Sequence, residues 1–398
     1  MGLFRGAGRE RMAGQRNERD DMNSSETASL PRTRKLGFGL MRLPKKGEAI
    51  DVAQVCGMVD RFLGAGFNYF DTAWAYPGSE EAIRKALVER HPRKSFLLAS
   101  KNAAWLGCKS PEEATAQLDV SLERSGAGYL DFYLLHNLGD ARTRVFEDFR
   151  LWEWALAQKE AGRVRHVGFS FHASAEQLEG VLAAHPEAEF VQLQVNYADW
   201  ESPSIQSRRC LEVARAHGKP VIVMEPVKGG LLANPPPDVG EVLRAAEPEA
   251  SASSWALRFA ADLPGVYTVL SGMSSMEQME DNLATMGAFG GLSAGQRETI
   301  RRAQEALGRH PVVPCTGCDY CAKVCPASVG ISGTFAALNI FTLYGDRRAA
   351  GTRLAWDVDG QGRKWAAACL QCGACEGVCP QHIGIREELR KAAEALPG

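Results

Sequence analysis

From Lys35 to Gly272 short runs rich in apolar and β-branched residues alternate with helical patterns, and this alternation limits the fold more tightly than any other feature of the chain. The runs are LGFGLMRL (36–43), NYFDTA (68–73), FLLASK (96–101), LDFYLLH (130–136), HVGFS (166–170), VQLQVN (191–196), VIVMEP (221–226) and TVLSG (268–272). Strands separated by helices pair side by side in parallel, because each helix carries the chain back to the same end of the sheet. Eight such units over about 270 residues match a (β/α)8 TIM barrel, with a doubly wound open sheet as the second choice.

A barrel of this kind places its chemistry at the carboxyl ends of the strands. Asp71, Lys101, His136, Ser170, Gln194, Glu225 and Gly272 lie at or near those ends, too many polar positions for packing alone. Two further helical patterns, SMEQMEDNLATM and SAGQRETIRRAQEALG, follow the eighth strand before RHPVVP breaks the rhythm. The triproline in NPPPDVG (234–240) marks an irregular loop after the seventh strand, of the sort that covers a barrel mouth. The expected organisation is a polar, disordered tail over 1–34, with Met22 as an alternative start, a barrel over 35–308 and a small domain over 309–398.

The formal charge is −2, from 46 basic and 48 acidic residues. That balance gives no reason to expect a nucleic acid partner. No run approaches the roughly 18 apolar residues needed to cross a bilayer, and no apolar leader follows the first arginines, so a cytoplasmic protein without membrane attachment is expected.

The small domain is defined by CTGCDYCAKVCP (315–326) and CLQCGACEGVCP (369–380), two C-x2-C-x2-C-x3-C-P runs holding eight of the eleven cysteines. Cys56, Cys108 and Cys210 stand apart as small packing residues. In a cytosolic chain metal is the natural reading, and three thiolates within seven residues suit an iron-sulfur cube better than the separated pairs usual for zinc. The spacing is that of two-cluster ferredoxins, whose fourth cysteine crosses to the other cluster. Cys315, Cys318, Cys321 and Cys379 would then hold one [4Fe-4S] cluster, and Cys369, Cys372, Cys375 and Cys325 the second. Between the runs, SGTFAALNIFTLYG has helical apolar spacing, which makes this a mainly α-helical, ferredoxin-like domain.

FDTAWAYPGSEEAIRKAL, with LASK and LLH, resembles the aldo-keto reductases over most of residues 35–290. The resemblance implies Asp71, Tyr76, Lys101 and His136 as the catalytic set. Carbonyl reduction needs a hydride for carbon and a proton for oxygen, and a free tyrosine, with a pKa near 10, is a slow acid at neutral pH. Lys101 is expected to lower that pKa, Asp71 to hold the lysine, and His136 to orient the substrate oxygen.

For the cofactor, GMSSMEQMEDN is similar to the family's adenosine-binding segment and implies Ser274, Gln278, Asp281 and Asn282, although the segment also reads as an amphipathic barrel helix. Ser170 and Gln194 stand where the family holds the nicotinamide carboxamide, and EPVKGGLL supplies Lys228 and backbone amides near the pyrophosphate. Phe171 and Met224 depart from the usual Asn and aromatic ring. NAD and NADP both remain open, because no arginine occupies position 278.

Together these features resemble the prokaryotic iron-sulfur aldo-keto reductases. The implied function is NAD(P)H-dependent interconversion of small carbonyl and alcohol substrates, with two [4Fe-4S] clusters and a possible redox partner protein. A flavin is possible, although no flavin motif is present. The clusters could exchange electrons with a partner, serve a substrate handled one electron at a time, or hold the tail against the barrel. The second reading is an adaptor subunit that senses nucleotide or passes electrons without turnover. Trp105, Trp200 and Phe171 follow strand ends and are expected pocket walls.

Overall fold

The structure, a computed structural model, describes residues 30–139 and 141–396. The expectations for the tail therefore fall largely outside the described residues, as does the alternative start at Met22. Thr33–Gly398 forms one compact unit, within which a barrel and a helical module each have a core.

The eight expected strands are present as β1 (Leu36–Gly39), β2 (Tyr69–Asp71), β3 (Leu97–Asn102), β4 (Leu130–Leu138), β5 (Val164–Phe171), β6 (Val191–Gln194), β7 (Val221–Met224) and β8 (Val266–Gly272). All neighbours are parallel, and β1 pairs with both β8 and β2, which closes the barrel. Side chains alternate across a strand. Phe70 therefore faces the helix layer, where it meets Phe62 edge-on at 5.3 Å, while Tyr69 and Asp71 point inward.

The inner floor is aromatic. Phe132 lies 5.0 Å from Tyr69, 5.2 Å from Phe190 and 5.9 Å from Tyr267 between ring centroids. Gly168 of β5 makes room for this floor, since a Cβ there would come within 2.4 Å of the Phe190 carbonyl oxygen. Above the floor, the next inward positions mix polar Asp71, Lys101, Ser170 and Gln192 with apolar Leu134 and Ile222.

Helices wrap the barrel by ordinary amphipathic logic. In α1 (Val52–Gly64) Val55, Met58, Val59 and Phe62 are buried, the i, i+3, i+4, i+7 stripe of a core-facing helix. Burying Phe62 alone contributes roughly 1.5–3 kcal/mol. Asp51 starts the helix by accepting from the Gln54 amide at 3.1 Å, and Ser174 and Ser293 open later helices with capping boxes.

The triproline meets expectation in part: Pro235 and Pro236 lie outside regular structure, as expected, but Pro237 opens a helix, Pro237–Ala246, where the missing N–H costs nothing and the fixed φ is already helical. The turn over the β7 end is made instead by Lys228–Ala233, with Gly229 and Gly230 at φ 66° and 103°.

After helix Ala294–Gly308 the chain loses regular structure until Tyr320, which matches the break expected at RHPVVP. The module's main helices are Ile331–Tyr344, Arg347–Asp357 and Ile385–Ala395, packed around Val313, Val329, Phe335, Leu338, Leu354 and Leu389. The first ends at Gly345 in the left-handed region, whose N–H closes on the Phe341 carbonyl at 2.8 Å. Among the described residues no helix is long and apolar enough to cross a membrane.

Candidate active site and cluster sites

Asp71 and Lys101 sit on neighbouring strands, β2 and β3, both aimed into the barrel. The Lys101 ammonium, 0% exposed, donates to Asp71 Oδ1 at 2.5 Å and to the Thr72 carbonyl at 2.7 Å. Gln192 Nε2 donates to the other carboxylate oxygen at 3.1 Å. Above the pair, Tyr76 places its ring centroid 5.1 Å from Lys101 Nζ, and His136 meets that ring edge-on at 5.8 Å. The four expected residues thus converge on one point at the carboxyl end of the barrel.

The electrostatics refine their roles. Enclosure pushes the Tyr76 hydroxyl above its ordinary value, and the nearby Lys101 charge reduces that rise without cancelling it. Lys101 thus pulls the pKa down as expected, but desolvation is the larger influence and leaves the hydroxyl above, not below, its ordinary value. Burial works against the Lys101 charge too, but Asp71 and Tyr76 outweigh it and hold the ammonium above its usual range. His136 goes the other way. Desolvation and the Lys101 charge hold it well below the usual histidine range, so it is neutral at pH 7 and orients rather than supplies a proton. Its Nδ1 and the Trp105 Nε1 are buried without a hydrogen-bond partner within the protein.

Around this point lie the expected cofactor residues. Ser170 Oγ accepts from the Asn137 amide at 2.7 Å, and the β5–β6 register sets Ser170 beside Gln192. Gln194 stands one alternation further on and donates to Asp199 at 2.9 Å. Lys228 pairs with the same carboxylate, which also accepts from Asn196 Nδ2 at 2.8 Å. Burial opposes the Asp199 charge, yet Lys228, Asn196 and Gln194 together hold its pKa below the ordinary carboxylate value.

Gly272 lies opposite Gly39 on β1. Ser274 donates to the Arg42 carbonyl at 2.6 Å, and its own amide reaches Gln278 Oε1 at 2.7 Å. Ser275 caps helix Met276–Gly287. Asp281 accepts from Ser251 at 2.7 Å, and buried Asn282 donates to Ser271 at 2.8 Å, so these two brace the helix while Ser274 and Gln278 stand at its open end.

Sequence reasoning passed over Gln192, Asp199 and Arg42. The signal available for Gln192 was its spacing of two from Gln194 in VQLQVN, which puts both on one face of the strand. Arg42 is exposed, with its Nη2 3.5 Å from where a Cβ on Gly229 would stand. Of the expected pocket walls, Trp105 meets His136 edge-on at 6.3 Å, whereas Phe171 is buried and Trp200 packs on Phe259 at 5.3 Å.

The eight clustered cysteines surround two hollows. One is lined by Cys315, Cys318, Cys321 and Cys379, with Ile331, Phe335 and Ile385. The other is lined by Cys325, Cys369, Cys372 and Cys375, with Ile331, Leu370 and Leu389. The two runs fold alike: Gly317 and Gln371, Asp319 and Gly373, and Ser328 and His382 take left-handed backbone at matching places. That conformation turns amides toward sulfur, with Gly317 N 3.5 Å from Cys315 Sγ and Gln371 N 3.4 Å from Cys369 Sγ.

Four thiols around each hollow, three of them within seven residues, suit a polynuclear iron-sulfur cluster better than the separated pairs usual for zinc. Burial, with Cys315, Asp319 and Cys318 nearby, pushes the Cys321 thiol up to about 12, so cluster assembly has to displace its proton.

Comparison with known proteins follows the same division. The pattern of the aldo/keto reductase family matches residues 35–305, and that of the 4Fe-4S dicluster domain matches residues 314–383. An aldo-keto reductase of Strobilurus tenacellus is 31% identical over 209 residues, which span 50% of this chain and 59% of that relative. Among solved structures, an aldo-keto reductase of Bacillus halodurans in its holo form has a TM-score of 0.54 at 25% identity and covers 70% of this chain and 94% of its own. One from Klebsiella pneumoniae in complex with NADPH reaches 0.52 at 22% identity, over 67% and 90% of the two chains.

Proposed function

Because the chain belongs to the aldo/keto reductase family of oxidoreductases, we propose that its barrel interconverts small carbonyl compounds and alcohols with a nicotinamide cofactor. The observation that carries this reading is the buried Lys101–Asp71 pair beneath Tyr76, with a neutral His136 beside it. When bound, the nicotinamide supplies the hydride. Tyr76 donates the proton to the carbonyl oxygen, since it is the member of the set that stays protonated and faces the site. Lys101 stabilises the tyrosinate left behind, and Asp71 keeps the ammonium charged and in place. His136, uncharged, directs the oxygen by a hydrogen bond.

Ser170 and Gln192, adjacent across β5 and β6, are suited to hold the carboxamide. Lys228 with the Gly229–Gly230 turn is suited to the pyrophosphate, and Ser274 and Gln278 to the adenosine end. Arg42, whose Nη2 stands beside the Gly229 position, adds a second cation suited to the pyrophosphate.

The module is proposed to carry two [4Fe-4S] clusters with crossed ligation, by Cys315, Cys318, Cys321 and Cys379 and by Cys369, Cys372, Cys375 and Cys325. Such clusters pass single electrons. The lining of the two hollows supports this assignment over one in which each run keeps its own cluster.

Tyr76→Phe tests the catalytic reading. It keeps the ring against His136 and removes the proton, and NADPH oxidation by an aldehyde panel should fall about 100- to 10,000-fold. Undiminished turnover in that variant would remove Tyr76 from the mechanism.

A further inference from the structure

The helix Arg347–Asp357 belongs to the cluster module, and its Ala350 and Leu354 are buried in that module's core. Trp356 projects from the same helix and is 59% exposed. A single exposed tryptophan is unremarkable by itself. This one is the far end of an aromatic series that starts at the proposed proton donor. Tyr76 meets His136 at 5.8 Å and 82°, His136 meets Trp105 at 6.3 Å and 76°, and Trp105 meets Trp356 at 6.1 Å and 73°.

Each contact is edge-to-face, the geometry that aromatic pairs prefer. The same helix also faces barrel charge at this place: Asp357, which pairs with Arg353 one turn back along the helix, feels the charge of Arg142, whose side chain donates to the Asn137 carbonyl at 2.9 Å at the carboxyl end of β4. Nearby, a Cβ on Gly317 of the first cysteine run would lie 3.9 Å from Ser204 Cβ, on the loop after β6. The module therefore touches the mouth of the barrel at more than one loop.

We propose that Trp356 is a specificity residue lent to the barrel by the cluster module, forming with Trp105 an aromatic wall that selects flat aromatic aldehydes over short aliphatic ones. The inference rests on the carbonyl-reducing reading of the barrel. Its physical basis is aromatic contact: an aromatic substrate aimed at Tyr76 and His136 can pack against this series in a way that an aliphatic chain cannot match. The buried, unpartnered Trp105 Nε1 offers one donor to a polar ring substituent. The wall also gives the module a part in the barrel's chemistry that requires no electron to pass between them.

The test uses the full-length protein with its clusters, as wild type, Trp356→Ala and Trp356→Phe, after iron content is shown to be equal in all three. With 4-nitrobenzaldehyde, Trp356→Ala should raise KM roughly 3- to 10-fold with kcat little changed, and Trp356→Phe should restore most of the loss. With propanal neither variant should differ from wild type. Equal effects on both aldehydes, or none on either, overturn the wall.

Calorimetric binding of 4-nitrobenzaldehyde separates this from failure of the parent reading. If wild type turns over neither aldehyde, carbonyl reduction is refuted, while binding weakened in Trp356→Ala and kept in Trp356→Phe still supports the wall. Binding that is absent in wild type, or the same in all three proteins, overturns it.

Discussion

The barrel and the cluster module reach ordered sites by opposite routes. In the barrel a floor of Tyr69, Phe132, Phe190 and Tyr267 and a coat of helices are complete without any ligand, and the Lys101–Asp71 pair is set into that finished core. In the module the side chains nearest the hollows are thiols, and a few residues such as Ile331 and Leu389 serve both the core and the lining. Packing holds the first site. Ligation has to supply much of the free energy that holds the second, as it does in other small metal domains. A change in one region should therefore leave the other's order largely intact.

The largest effect expected to sharpen that contrast comes from Lys101→Met. It leaves Asp71 buried without its cation, which costs about 3–5 kcal/mol for a broken buried pair. The barrel's denaturant midpoint and its NADPH turnover should both drop sharply while iron content stays at the wild-type value. Loss of iron in this variant would break the comparison, because the module would then depend on barrel packing.

Cys325→Ala makes the reciprocal change. Under crossed ligation the cluster held by Cys369, Cys372 and Cys375 should be lost and the other kept. Iron per chain should fall to about half, with the barrel's melting transition in place. Selective loss of the cluster at Cys315, Cys318 and Cys321 would show instead that each run binds its own.

The smallest expected effect is in pH dependence. Reduction requires protonated Tyr76, and enclosure holds its pKa above the ordinary value. kcat/KM for reduction should therefore stay level up to the range near 10 where a free tyrosine ionises, and fall only beyond it. Alcohol oxidation needs the ionised phenol and should rise with pH over the same interval. A falling limb for reduction well below that range would contradict an enclosed phenol.

Much of this was legible in the chain because it is local. The strand runs, the break after Gly308 and the helix at Ile331–Tyr344 follow from the spacing of apolar and turn residues, and Asp71, Lys101 and His136 were found because strand ends are visible in a sequence. The cysteine spacing is equally local. The triproline was read only in part for a local reason too: Pro235 and Pro236 are loop, while Pro237 opens a helix, since proline favours a first helical turn as readily as it interrupts one.

What the chain alone could not disclose was every relation that depends on register or docking. Gln192 lies beside Ser170 because of the β5–β6 register, and Gln194 and Lys228 meet on Asp199 because three separate segments converge. Desolvation of Tyr76 exceeds the pull of Lys101 because of where the fold seats its hydroxyl, and Trp356 reaches Trp105 only because a helix distant in sequence packs there. Spacing along a covalent chain determines which elements form. Which side chains share a site depends on contacts between residues far apart in sequence, and those were decided by the tertiary structure.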